Sequence, residues 1–268
     1  MAGRRLGQHF LRAGWPEQIA KAIGLSRQAA SHKDERPYCW IEIGAGHGEM
    51  TAHLAATGVP VHAVELDPPL VSRLRELRSR FPNLTVLPGD VLQTDLAAIA
   101  SGRRIKLYGN LPYYITSPIL HHFFSSAALI EEIHVVIQAE VARRLVAQPG
   151  NRDYGYLSVL TQYYSRPAMG LELPPGAFEP PPEVASALVS LHLPGEGKRL
   201  QMEDSRRFLA FVKACFAHKR KTVVNNLRGT NAPDRTKQAL AGMRRQSSAR
   251  AEELSVAELA ALFRALAR

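Results

Sequence analysis

Two cysteines in 268 residues are too few for a disulfide framework. Cys39, inside an apolar run, and Cys215, inside a helical pattern, stand at no metal-ligand spacing. Both are expected to be buried and inert, and no metal is expected. Long apolar runs are also missing: none approaches the roughly 20 residues that span a bilayer. The opening Met1-Ala2-Gly3-Arg4-Arg5 has charges with no apolar signal core behind them, so a cytoplasmic protein without a membrane partner is expected. Acidic residues are scarce in one region only. Residues 198–268 hold 16 Lys/Arg against 6 Asp/Glu, whereas residues 1–197 hold 18 of each, so the whole formal charge of +10 sits in the last quarter. A neutral body with a basic extension points to a polyanion-binding surface. Lys219, Arg220 and Lys221 are its densest cluster. The turn signal Pro194-Gly195-Glu196-Gly197 marks the boundary, dividing the chain into residues 1–197 and a helical, basic 198–268.

What the chain does contain is a succession of apolar strand patterns, each running out into a polar residue. Tyr38 to Ile43 leads into Gly44-Ala45-Gly46-His47-Gly48 and a helix. Glycines there allow a tight turn and let backbone amides approach a ligand at a helix N-terminus. A dinucleotide fingerprint wants its third glycine where Glu49 stands. The alternate-glycine spacing, with Glu42 two residues before it, is instead the pattern of an S-adenosylmethionine site, which has no pyrophosphate to cradle. A second strand from Pro60 ends at Glu65, placed to accept both ribose hydroxyls; pairing with Arg73 or solvent is the alternative. A third, Leu84 to Leu87, leads to Asp90, which suits the cofactor adenine's amino group and equally suits a turn.

The fourth strand, Ile105 to Tyr108, delivers Asn110-Leu111-Pro112-Tyr113. Those residue types also make an ordinary turn, but they carry a chemistry. The Asn110 amide oxygen and the carbonyl of Leu111 or Pro112 can accept both N–H bonds of an adenine amino group. Tyr113 offers a face for the base, typically worth about 1–3 kcal/mol. Phe178, in the stiff Gly176-Ala177-Phe178-Glu179-Pro180-Pro181-Pro182 loop, would close a sandwich on that base; packing beneath the loop is its other reading. Beyond residue 197, Phe208 to Phe216 and then Ala217 to Leu227 read as helical.

These segments resemble the KsgA/RsmA family of 16S ribosomal RNA adenine dimethyltransferases, related to the erythromycin-resistance methyltransferases. The resemblance covers nearly the whole chain. It rests on Gly7-Gln8-His9-Phe10-Leu11, the glycine loop, Asn110-Leu111-Pro112-Tyr113, Glu140 to Leu145 with Tyr154 to Val159, and Phe178-x-Pro180-x-Pro182-x-Val184. It implies an α/β fold: a Rossmann-like S-adenosylmethionine-dependent methyltransferase domain with a small C-terminal all-helical domain. It places His9, Leu11, Gly44, Glu65, Asp90 and Asn110 at cofactor-contacting positions, and Tyr113 and Phe178 at base-binding ones. Family members often carry Asn where this chain has His9, and either residue hydrogen-bonds. The implied reaction is dimethylation of two adjacent adenines near the 3′ end of 16S RNA in the 30S subunit, during subunit biogenesis, by a monomer. A 23S RNA methyltransferase of the erythromycin-resistance type is the nearest rival. A DNA adenine methyltransferase and a non-catalytic RNA-binding factor are more distant ones.

Overall fold

The computed structural model describes residues 8–25 and 37–267; Met1 to Gly7, including the first residue of the Gly-Gln-His-Phe-Leu segment, lie outside them. The described chain divides into two units, residues 1–142 with 168–193, and 143–167 with 194–268.

The first unit is built on a seven-stranded sheet in the order β4-β3-β2-β5-β6-β9-β7. Its strands are β2 (Tyr38–Ile43), β3 (Val61–Glu65), β4 (Leu84–Pro88), β5 (Arg104–Asn110), β6 (Ile130–Gln138), β7 (Arg166–Leu173) and β9 (Ser186–His192). β2 to β6 are parallel, and β9 runs antiparallel to β6. All six residues of β2 are buried, as the continuous apolar run of a doubly covered parallel strand requires. Register decides the rest. Ile43 lies opposite Val64 on one side and Gly109 on the other, so Gly44, Glu65 and Asn110 follow at one level at the carboxyl ends. The strand order reverses between β2 and β5, and ligands of open α/β sheets bind in the crevice outside such a switch point.

β1 (Phe10–Leu11) pairs antiparallel with β8 (Phe178–Glu179), Leu11 facing Phe178. Arg12 donates its backbone N–H to Ala177 at 2.9 Å and forms an ion pair with Glu179. The segment around residue 10 is thereby fastened to the proline-rich loop. Two-residue pairings of this kind leave no periodicity in sequence.

Three expectations change. The boundary after residue 197 falls instead between Leu193 and Pro194, and residues 143–167 join the second unit. The reason is apolar packing: Tyr154, Val159 and Tyr163 share a core with Phe208, Val212, Leu259 and Leu262. β7 was not expected, because it is the sheet's last strand and most of its residues are exposed. The Ala217–Leu227 stretch is not one helix. The helix Ser205–Cys215 stops, and within the stretch itself only Val223–Asn226 is helical. Between them Asn226 acts as a staple, its Nδ2 donating to the carbonyls of Cys215 at 2.7 Å and His218 at 3.2 Å. Both cysteines are buried, and burial pushes the Cys215 thiol up to about 12. No helix among the described residues is long and apolar enough to cross a membrane.

Candidate active site

The carboxyl edge of β2 to β5 opens into a cavity lined by Gly44, Glu65, Asp90 and the whole Asn110 to Tyr113 box, with His9 from the segment preceding the sheet. Its apolar walls include Ile43, Val64, Leu66 and Val91. Leu11 lies one step away, in an adjoining recess shared with Glu42, Tyr108 and Asn110.

Glu65 is buried. Its Oε2 accepts the Gly46 N–H at 2.9 Å, and its Oε1 accepts the Leu66 and Asp67 N–H groups at 2.8 and 2.9 Å. A carboxylate has about four lone-pair directions, so one remains, on Oε2. The expectation that Glu65 has room to accept two hydroxyls is therefore corrected: its carboxylate keeps acceptor capacity for one further donor. The rest of its capacity closes its own strand end and anchors the glycine loop. Asp90 is divided in the same way: Oδ1 accepts from Leu92 N–H at 2.9 Å, capping the turn Val91–Gln93, while Oδ2 keeps its acceptor capacity. The turn and ligand readings of Asp90 are thus compatible.

The glycine loop is as close-packed as its sequence suggests. Gly46 and Gly48 have φ of +58° and +87°, a region costly for residues with a Cβ. A Cβ on Gly48 would meet Leu77 Cδ1 at 2.5 Å. Behind the loop, Thr51 donates its hydroxyl to Glu42 Oε2 at 2.5 Å. Burial, with the nearby charges of Glu49 and Glu65, outweighs that bond and pushes the Glu42 carboxyl up to about 8.

Asn110 ends β5, and its Nδ2 donates to the His9 carbonyl at 2.7 Å. A carbonyl only accepts, so the NH₂ end of the amide must point there, which leaves Oδ1 without a hydrogen bond among the described residues. The neighbouring carbonyls differ. Pro112 O already receives Ile115 N–H and the Thr116 hydroxyl, both at 3.2 Å, whereas Leu111 O receives no hydrogen bond among the described residues. Of the two carbonyls considered from sequence, Leu111 is the open one. Tyr113 is fixed by its hydroxyl, 2.6 Å from Ser186 Oγ, and by the His9 ring stacked at 5.7 Å. Burial, against the Ser186 bond, raises its phenol pKa, so the ring is a neutral platform. His9 Nδ1 lies 2.7 Å from Pro180 O and must carry the proton there. The His9 side chain thus orders the loop and Tyr113, while its backbone orders Asn110.

Phe178 stands elsewhere. It is fully buried in the first unit's core with Leu173 and Ala177, and the sandwich role is corrected to packing beneath the loop. Pairing with Leu11 carries it inward. The residue that sequence reasoning missed is Tyr114, which lines the cavity and is 66% exposed; its place beside Tyr113 was the available signal. In the second unit, Lys219, Arg220 and Lys221 are exposed on the loop stapled by Asn226, and Lys219 Nζ donates to Arg152 O at 3.0 Å.

A model of the family described as ribosomal RNA adenine dimethylase matches residues 2–268. The ribosomal RNA small subunit methyltransferase A of Acidobacterium capsulatum is 45% identical, covering 84% of this chain and 80% of its own. That of Syntrophus aciditrophicus is 41% identical over 98% and 93%. Among solved structures, the 23S rRNA methyltransferase ErmE aligns with a TM-score of 0.70 at 26% identity, covering 97% of this chain and all of its own. A dimethyladenosine transferase from Plasmodium falciparum shares the fold, with a TM-score of 0.74 at 22% identity over 95% and 96%.

Proposed function

Because the chain belongs to the ribosomal RNA adenine dimethylase family and is an S-adenosylmethionine-dependent methyltransferase, we propose that it dimethylates two adjacent adenines near the 3′ end of 16S RNA in the 30S subunit. The observation that carries the chemistry is Asn110, whose amide is locked by His9 with Oδ1 free beside an open Leu111 carbonyl. The residues fit the cofactor: a glycine loop at a helix N-terminus, one open lone pair on Glu65, a free Asp90 oxygen and apolar walls between them.

S-adenosylmethionine supplies an electrophilic methyl group on a sulfonium. An adenine amino nitrogen attacks poorly because its lone pair is delocalised into the ring. Accepting its two N–H bonds at Asn110 Oδ1 and Leu111 O favours a pyramidal nitrogen and frees that lone pair, an effect of positioning and electrostatics. Tyr113, anchored at Ser186, holds the base flat while this happens. The proton leaves after attack, so the box needs no general base. Lys219, Arg220 and Lys221 dock the RNA backbone.

The test supplies labelled S-adenosylmethionine to small subunits lacking this modification, and separately to protein-free 23S RNA and to duplex DNA. Dimethyladenosine at two neighbouring positions of 16S RNA is expected. Label confined to 23S RNA would transfer the function to the erythromycin-resistance type, for which the 26% identity to ErmE is the present support; label on DNA alone would defeat both.

A further inference from the structure

We infer that Tyr114 is a second, separate stacking platform, which receives the base next to the target adenine once the target has been turned into the cavity. This rests on the RNA reading above and names a substrate contact that the box does not include.

Tyr114 is the most exposed large apolar side chain among those described, at 66%, and it lines the cavity. A lone exposed tyrosine is ordinary on a protein surface; this one is placed otherwise. It follows Tyr113 in a 3₁₀ turn, Tyr113–Ile115. Three residues per turn set consecutive side chains about 120° apart. The two rings therefore cannot close on opposite faces of one base. Nor does Tyr113 need a second ring from the chain on the face where His9 is already stacked. Phe178, the other aromatic expected at the base, is sealed in the core.

Enzymes that work on a base within a strand extrude it at the cost of unstacking. The nucleotide left behind then has one bare face. An exposed aromatic ring at the cavity is the group that covers it, and it does so for any base, since every base has a π-face.

The experiment is steady-state kinetics on small subunits lacking the modification, with Tyr114→Ala, Tyr114→Phe and Tyr114→Leu, and calorimetry of S-adenosylmethionine binding for each variant. Tyr114→Ala should raise KM for the subunit about 5- to 100-fold, the range of a lost base–aromatic stack, with cofactor affinity intact. Tyr114→Phe should restore the wild-type KM, and Tyr114→Leu, which keeps bulk without a π-face, should resemble Ala. Unchanged KM in Tyr114→Ala, rescue by Leu as complete as by Phe, or a loss in kcat at constant KM would each overturn the assignment. If the wild-type protein fails to methylate ribosomal RNA adenines at all, it is the underlying function that falls, a result separable from these.

Discussion

Asn110 is oriented by a backbone carbonyl from a segment 101 residues away, so the direction of its amide oxygen is set by the fold itself. Preorganisation of this kind is what a transition state exploits. Asn110→Ala should lower kcat by roughly 100-fold or more while calorimetry still detects RNA and cofactor binding; turnover near wild type would remove the amide from the mechanism. Glu42 makes a different prediction. Its carboxyl keeps its proton in the fold up to about 8 but has an ordinary value of 4.5. The native state is therefore favoured fully below about 4.5, and that advantage drains away as pH rises to about 8. Glu42→Gln, which still offers Thr51 an acceptor, should flatten the fall of Tm across this window, and parallel Tm profiles would refute the buried neutral carboxyl. The placement of the box, Glu65 and Asp90 at one cavity was legible in sequence because each stands at or just beyond the end of an apolar strand. The burial of Phe178 was not, since it follows from a pairing with Leu11 across more than 160 residues, and proline-rich loops look alike whether their ring points in or out.

At the scale of elements, the glycine loop is held from two directions: Glu65 accepts the Gly46 N–H, and Leu77 and Leu74 close over Gly48. Gly48→Ala would force a Cβ into Leu77 at positive φ. Overpacking of this sort costs about 1–3 kcal/mol, and the backbone strain adds to it; thermal denaturation should show the loss, and an unchanged Tm would mean the leucines yield freely. The central parallel strands β2, β5 and β6 could be read from sequence because burial on both faces writes a nearly continuous apolar run. β7 could not, as an edge strand with mostly exposed residues satisfies no period. The break between Cys215 and Val223 escaped as well, because its cause is the Asn226 side chain reaching back to two carbonyls, and hydrogen bonds of that reach have no signature in hydropathy.

Across the whole molecule, charge is partitioned as the sequence showed, with a basic excess beyond residue 197. Reversing Lys219, Arg220 and Lys221 to Glu should weaken RNA binding and flatten its dependence on salt, because fewer counterions are released on docking. S-adenosylmethionine affinity should stay as it was. An unaltered salt slope, measured by filter binding across a salt series, would place the RNA surface elsewhere. What charge could not disclose is that residues 143–167 belong with the basic region, since allegiance to a core is decided by packing between distant segments. Tyr154 donates its hydroxyl to Leu254 O at 3.0 Å, and Gly150 N–H reaches Glu252 O at 2.7 Å. The second unit is consequently not a tail that recombination could swap as one stretch of gene. Part of its core is encoded ahead of the last sheet strands, so an exchange at residue 197 would separate Tyr154, Val159 and Tyr163 from the partners they pack against. The two parts are constrained to be inherited together, and the basic region beyond residue 193 has to change in step with a segment that precedes β7 in the chain.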